Sequence, residues 1–324
     1  MSADGSTKAI VAAMSANAGI AITKFIAFLL SGASSMLAES IHSVADTTNQ
    51  VLLLVGKRRA MREADEEHPF GYGRSRYVYA FIVAIILFSL GGLFAIYEGI
   101  EKLRNPHPLD PDWWWLPFVV LVIAIVLEWF SLATAVRESN KVRDGRGWVD
   151  FVRRAKSPEL PVVLLEDIAA MLGLLLALIG VGLTQLTGNG VWDGIGTLAI
   201  GALLVVVAII LGIEMGSLLV GEGANRDDVA RIRAAIARHP VVDRIIHLKT
   251  LYVGPEELMV GAKVAVSGGT TIAELAPRID ALEQDIRAAV PAARIIYLEP
   301  DVWRPELSSD PSPPTDAIIL QSEN

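Results

Sequence analysis

The amino-acid sequence predicts an α-helical membrane protein: six transmembrane helices followed by a small cytoplasmic α+β domain. Three observations carry that expectation. Hydrophobic residues fill 52% of the 324 positions and charged residues only 20%, a balance that favours a bilayer over water. Six stretches are long and apolar enough to span, since a span needs about 20 such residues. After Leu219 the continuous apolar runs give way to amphipathic ones. With an acidic net charge of −8, nothing points to a nucleic-acid partner.

The six stretches are Ala9–Gly32, Ser34–Gly56, Tyr77–Ile100, Trp114–Val136, Leu160–Thr184 and Ile195–Leu219. The leading MSADGSTK runs directly into the first, so no cleavable signal is expected. Loop charge sets orientation. Lys57, Arg58, Arg59, Arg62, Arg74 and Arg76 separate spans two and three. Arg137, Lys141, Arg143, Arg146, Arg153, Arg154 and Lys156 separate spans four and five. The other connections are poor in positive charge, which predicts cytoplasmic termini. Trp113, Trp114 and Trp115 then fall at the outer interface, and the expected location is a prokaryotic plasma membrane.

The second span is the informative one. Glu39, His42, Asp46 and Asn49 interrupt its apolar run at spacings of three, four and three. At about 100° per residue they share one helical face. Charged groups in lipid cost about 2.5–3.5 kcal/mol each on insertion scales and persist where they line a pathway or hold an ion. His42 and Asp46 reach one point beside the helix, and imidazole plus carboxylate suits Zn²⁺. A polar contact between two helices is the structural alternative. Glu39 is read as an ion or proton stepping-stone or a ligand, and Asn49 as an interhelical hydrogen bond.

Span five carries Glu166 and Asp167, adjacent and so divergent by about 100°. Two buried carboxylates without a cation are expensive, which makes both candidate ligands. Glu128, mid-span in the fourth, is either a protonated carboxyl bonded to a neighbouring helix or a proton relay. Lys24 in the first span either pairs with such a carboxylate or snorkels to an interface. Glu98 and Glu101 are expected to be solvated. In the loop, Asp65, Glu66, Glu67 and His68 form an acidic patch able to collect cations. The chain has no cysteine, so a metal must be held by His, Asp, Glu, Asn or backbone oxygen.

Beyond the spans, Asp227–Arg238 and Ile272–Val290 read as amphipathic helices. Val242–Tyr252, Glu257–Val266 and Ala293–Leu298 read as strands, the first two joined by a Gly254-Pro255 turn. The order α-β-β-α-β predicts a two-layer, ferredoxin-like domain over residues 223–301, after a transmembrane domain over 1–222. Residues 302–324 are polar and proline-rich and are expected to be a disordered tail.

The His42-x-x-x-Asp46 pair, six spans with cytoplasmic ends and the small C-terminal domain together resemble the cation diffusion facilitator family of metal transporters. HPFGYGRSRY at His68–Tyr77 and SPELPVVLLEDIAAMLG at Ser157–Gly173 strengthen the likeness, the latter towards the branch of zinc transporter nine. The resemblance covers about Lys8 to Pro300. It implies a homodimer in which each protomer exports divalent cations, most often zinc, in exchange for protons. It also implies a transport site of two pairs, one on span two and one on span five. His42 and Asp46 match the first pair. On span five the position four before Asp167 is Val163, which binds no metal, leaving Glu166 as the nearest replacement. In that family some members hold a second metal in the loop that here contains Asp65 and His68, and Tyr72 stands where a further ligand would help. The C-terminal domain has only His239 and His247, so dimerisation rather than metal binding is its expected task.

The function expected is therefore divalent cation efflux, with the metal as cargo, no cofactor and no enzymatic activity. A Mn²⁺, Fe²⁺ or Co²⁺ carrier is the rival within transport. An intramembrane hydrolase using Glu166 or Asp167 lacks an evident nucleophile. A non-transporting scaffold remains as the third reading.

Overall fold

The protein is described here from a computed structural model covering residues 3–303 apart from 144 and 146, with side chains from residue 17 onward. Residues 304–324, most of the expected tail, lie outside the described residues. The chain divides into two compact units between Leu219 and Val220.

In the first unit α1 (Ala3–Ser31) and α2 (Ser34–Ala60) form a helical hairpin. Gly32 takes a left-handed conformation, φ 70°, and its N–H donates to Phe28 O at 2.8 Å, closing α1 in the way glycine does at helix ends. Then come α3 (Ser75–Ile86), a π-helical stretch (Leu87–Leu93) and α4 (Phe94–Arg104), which run as one 30-residue helix. α5 (Leu116–Val142), short α6 (Trp148–Arg154), α7 (Glu159–Thr187) and α8 (Val191–Val220) complete the unit.

Among the described residues, four helices are long and apolar enough to cross a membrane: Ser75–Arg104, Leu116–Val142, Glu159–Thr187 and Val191–Val220. Asn17–Ser31 is a shorter apolar helix. α2 has the length, but its polar face and closing Lys57, Arg58 and Arg59 dilute its apolar character. The six expected stretches are thus all helical, though four alone meet the length and composition of a span. α6 was not expected: it is a helical turn and more inside what the sequence presents as a basic loop. Phe151 anchors it, buried with Ala135 and Leu164.

Small residues let these helices approach closely, as in membrane bundles generally. A Cβ on Gly92 would stand 2.6 Å from Val205 Cγ2, and one on Gly201 2.8 Å from Ile96 Cγ1. α4 and α8 therefore meet nearly backbone to backbone. At the start of α3 the Arg76 guanidinium pairs with Glu159 at the start of α7.

The second unit has the order expected. α9 (Arg226–Arg238), β1 (Arg244–Gly254), β2 (Glu257–Ala265), α10 (Ile272–Ala289) and β3 (Ala293–Asp301) build a three-stranded sheet ordered β1-β2-β3. β1 and β2 pair antiparallel, β2 and β3 parallel, with α10 as the crossover that a parallel pair requires. Ile232, Ile236, Leu282 and Ile286 from the helices meet Leu258, Val260 and Val264 from β2 in one core. Thr271 and Glu274 form a reciprocal capping box at the start of α10, satisfying two backbone donors at once.

Candidate metal site

The polar face of α2 is turned inward. Glu39, His42 and Asn49 are at most 1% exposed. His42 Nε2 stands 3.5 Å from Asp46 Oδ2, the i, i+4 pairing expected of one helical turn. Neither His42 ring nitrogen has a hydrogen-bond partner among the described residues, and Asp46 Oδ1 is likewise unpartnered. Buried polar atoms are rarely left so in folded proteins, and each exception asks for a ligand or a role.

Asp46, Glu166, Asp167 and Glu128 line a single cavity of about 100 Å³ between α1, α2, α5 and α7. Val163 lines it as well, so one turn before Asp167 the wall presents methyl groups rather than a donor. Glu166 and Asp167 diverge as adjacent helical residues must. Glu166 Oε1 accepts from Asn49 Nδ2 at 2.7 Å across to α2. Asp167 Oδ2 accepts from Ser131 Oγ at 3.0 Å across to α5. Asn49 thus makes the interhelical bond its spacing suggests. Held apart by those partners, the carboxylates do not close on one point: among the described residues no three His, Asp or Glu side chains form a cluster able to grip an ion. His42 itself is not among the lining residues, and reaches the cavity through Asp46.

Glu39 sits differently from the ligand or stepping-stone expected of it. Its Oε2 accepts from Lys24 Nζ at 2.9 Å, and it is absent from the cavity wall, packed against Gly173 of α7. Lys24 donates also to Ser43 Oγ at 2.9 Å, and so pairs with a carboxylate rather than snorkelling.

The loop residues are placed apart from this cavity. Tyr72 Oη donates to Asp65 Oδ2 at 2.6 Å, and His68 N donates to Asp65 Oδ1 at 2.8 Å. The His68 and Tyr72 rings lie 4.3 Å apart. The tyrosine hydroxyl, then the His68 backbone, hold the Asp65 carboxyl below its usual range, while the same bond raises the Tyr72 hydroxyl. Both Asp65 carboxylate oxygens thus accept a hydrogen bond within the loop.

A second buried polar cluster lies at the end of the unit opposite the basic loops, and the sequence reading missed it. Asp193 of α8 is fully buried and accepts from Ser34 N at 2.6 Å, Ser35 N at 3.3 Å and Ser35 Oγ at 2.5 Å. Lys102 Nζ stands 3.8 Å from Asp193 Oδ2, donates to Gly32 O at 2.7 Å and lies 3.0 Å from His107 Nδ1. Glu98, expected in solvent, accepts from Ser34 Oγ at 2.9 Å in partial burial, because the α2 hydroxyl it meets is itself inside. Glu101 accepts from Asn105 in the open, as expected. The available signal was the start of α2: Ala33 precedes it and has no side chain to cap two free backbone donors.

Comparison with known proteins adds an independent line. Residues 10–220 match the cation efflux transmembrane domain. A Xenopus laevis protein described as a mitochondrial proton-coupled zinc antiporter, SLC30A9, is 32% identical over 266 residues, covering 82% of this chain and 47% of that protein. Arabidopsis thaliana metal tolerance protein C4 is 31% identical over 265 residues, 81% of this chain and 58% of its own length. The chain spans about half the length of the curated relatives it matches. A solved MamM CTD structure covers 24% of this chain and 96% of its own at 19% identity, with a TM-score of 0.23.

Proposed function

The chain belongs to the cation efflux family, and from that premise we propose that it carries zinc out across the bilayer in exchange for protons. The observation carrying this reading is the cavity lined by Asp46, Glu166 and Asp167 beside the unpartnered His42 imidazole. We propose His42, Asp46 and Asp167 as ligands, with Glu166 as the fourth once it leaves Asn49. Binding a divalent ion needs neutral imidazole and ionised carboxylates, so loading sheds protons and a more acidic far side reverses it. Glu128, in the same wall, is the proposed group to relay them. The proposed topology is six spans with the basic loops on the loading side.

The test is zinc uptake into liposomes containing the purified chain, with a pH probe inside. The expected result is zinc-driven pH change that His42→Ala abolishes. An imposed zinc gradient that moves metal while internal pH stays constant rules out exchange.

A carrier for Mn²⁺, Fe²⁺ or Co²⁺ is the second reading. Val163 in the cavity wall favours it, because a site with one imidazole and up to three carboxylates is richer in hard oxygen donors than zinc prefers. We propose further that residues 223–301 dimerise the chain without added metal. Mass measurement of the full chain in detergent, with chelator present, tests this; a monomer that pairs only when zinc is supplied overturns it.

A further inference from the structure

Among the described residues, Lys24 is the only basic one lining the cavity that Asp46, Glu128, Glu166 and Asp167 also line. It is 4% exposed, inside the helical unit. Two of its ammonium donors are spoken for, by Glu39 Oε2 and Ser43 Oγ, each at 2.9 Å on α2. An ammonium has three, and Lys24 itself lines the cavity. Glu39 lies behind it. Its Oε1 stands 2.8 Å from where a Cβ on residue 173 would be, so the glycine there makes a seat that any other residue would fill.

The arrangement is that of a carboxylate taken out of a cation path and covered by a tethered cation. Without Lys24, Glu39 would be a free carboxylate one helical turn from His42, on the face that already presents Asp46. We propose that Lys24 is a specificity-determining residue: a built-in counter-cation that withholds Glu39 from the transported ion and so limits the number of oxygen donors it meets. This rests on the transport reading above. A site relieved of one hard donor favours an ion content with few ligands and an imidazole; restoring that donor favours an ion that takes six oxygens.

The experiment is direct titration of Zn²⁺ and Mn²⁺ into the purified full-length chain by calorimetry, beside uptake of the same ions into liposomes. Lys24→Met is expected to raise Mn²⁺ affinity relative to Zn²⁺ by about tenfold, the lower end of what altered surroundings do to a metal site. Lys24→Met with Glu39→Gln is expected to return the ratio to that of the wild type, since no carboxylate is then released. Glu39→Gln alone strands an uncompensated ammonium beside Asp46, and should weaken both ions by a similar factor with the ratio unchanged. A merely structural ion pair would not move the ratio in one single variant and restore it in the double. An unchanged ratio in Lys24→Met overturns the inference alone. If Lys24→Met fails to fold, Lys24→Gln, which keeps a donor for Glu39 and Ser43 but carries no charge, is judged by the same ratio: a shift towards Mn²⁺ supports the inference, and an unchanged ratio overturns it. A wild type that binds neither ion overturns the transport reading and this inference with it.

Discussion

Two buried polar clusters sit in the same helical unit, and they are built on opposite rules. Around Asp193, each carboxylate oxygen meets a backbone N–H, a hydroxyl or the Lys102 ammonium. Around α2's mid-section, both His42 nitrogens, Asp46 Oδ1, Asn49 Oδ1 and Glu39 Oε1 have no partner among the described residues. Desolvating a polar atom without a hydrogen bond costs about 1–3 kcal/mol. The same unit thus holds one cluster whose polar atoms are satisfied and one where several are not, and the second is where the proposed ligands lie.

Substitutions in the two clusters and in the loop should separate their roles. The largest effect expected is at Asp167→Ala, which should abolish metal uptake into liposomes while the melting temperature in detergent changes little, since the side chain is only half-buried. Normal uptake by that variant ends the proposed ligand set. Next, Asp193→Ala should do the reverse. It strands the Lys102 charge and two α2 N–H groups, and breaking a buried pair from one side costs about 3–5 kcal/mol. Thermal unfolding at unchanged metal affinity per folded molecule checks it. If Asp193→Ala is as stable as the wild type, Asp193 does not fasten the start of α2.

Gly173→Ala comes third. Its new methyl would meet Glu39 Oε1 at 2.8 Å, and overpacking of this kind costs about 1–3 kcal/mol. A melting temperature equal to wild type would mean that Glu39 has room to move. Fourth, Glu166→Ala should weaken metal affinity and alter preference across a panel of divalent ions, whereas Val163→His should sharpen selection of zinc over manganese by adding a nitrogen donor. Identical profiles for Glu166→Ala and wild type remove Glu166 from the ligands. The smallest effect belongs to the loop. Because Asp65 titrates below the ordinary carboxylate value, its hold on the loop is complete above about pH 4 and is lost as pH falls through the lowered folded value. Tyr72→Phe deletes the first cause of that lowering, so the Asp65 carboxyl resonance should titrate at higher pH, with transport near neutrality unchanged.

Much of this was legible in the residues. The α+β unit could be read because Ile232 and Ile236 recur with helical spacing and β2 alternates Leu258, Val260, Ala262 and Val264 inward. The face of α2 could be read because its polar residues break an otherwise apolar run. Contacts between distant segments could not. No local pattern announces that Lys24 chooses Glu39 over Glu128, that Asn49 turns Glu166 aside, or that Asp193, in a stretch that reads as a loop, belongs under the start of another helix. Likewise α6 was hidden, since seven residues are too few for a period to emerge from basic surroundings.

That last helix start has a consequence in time. Ser34 and its capping carboxylate are separated by 159 residues. At about 5–20 residues per second of synthesis, α2 exists for roughly 10–30 s before Asp193 has been made. Through that interval the first backbone donors of α2 lack the Asp193 carboxylate that caps them. The start of the helix that carries His42 and Asp46 is therefore capped only when the final apolar helix arrives, and a chain cut short before residue 193 would carry those residues without the cap on their helix.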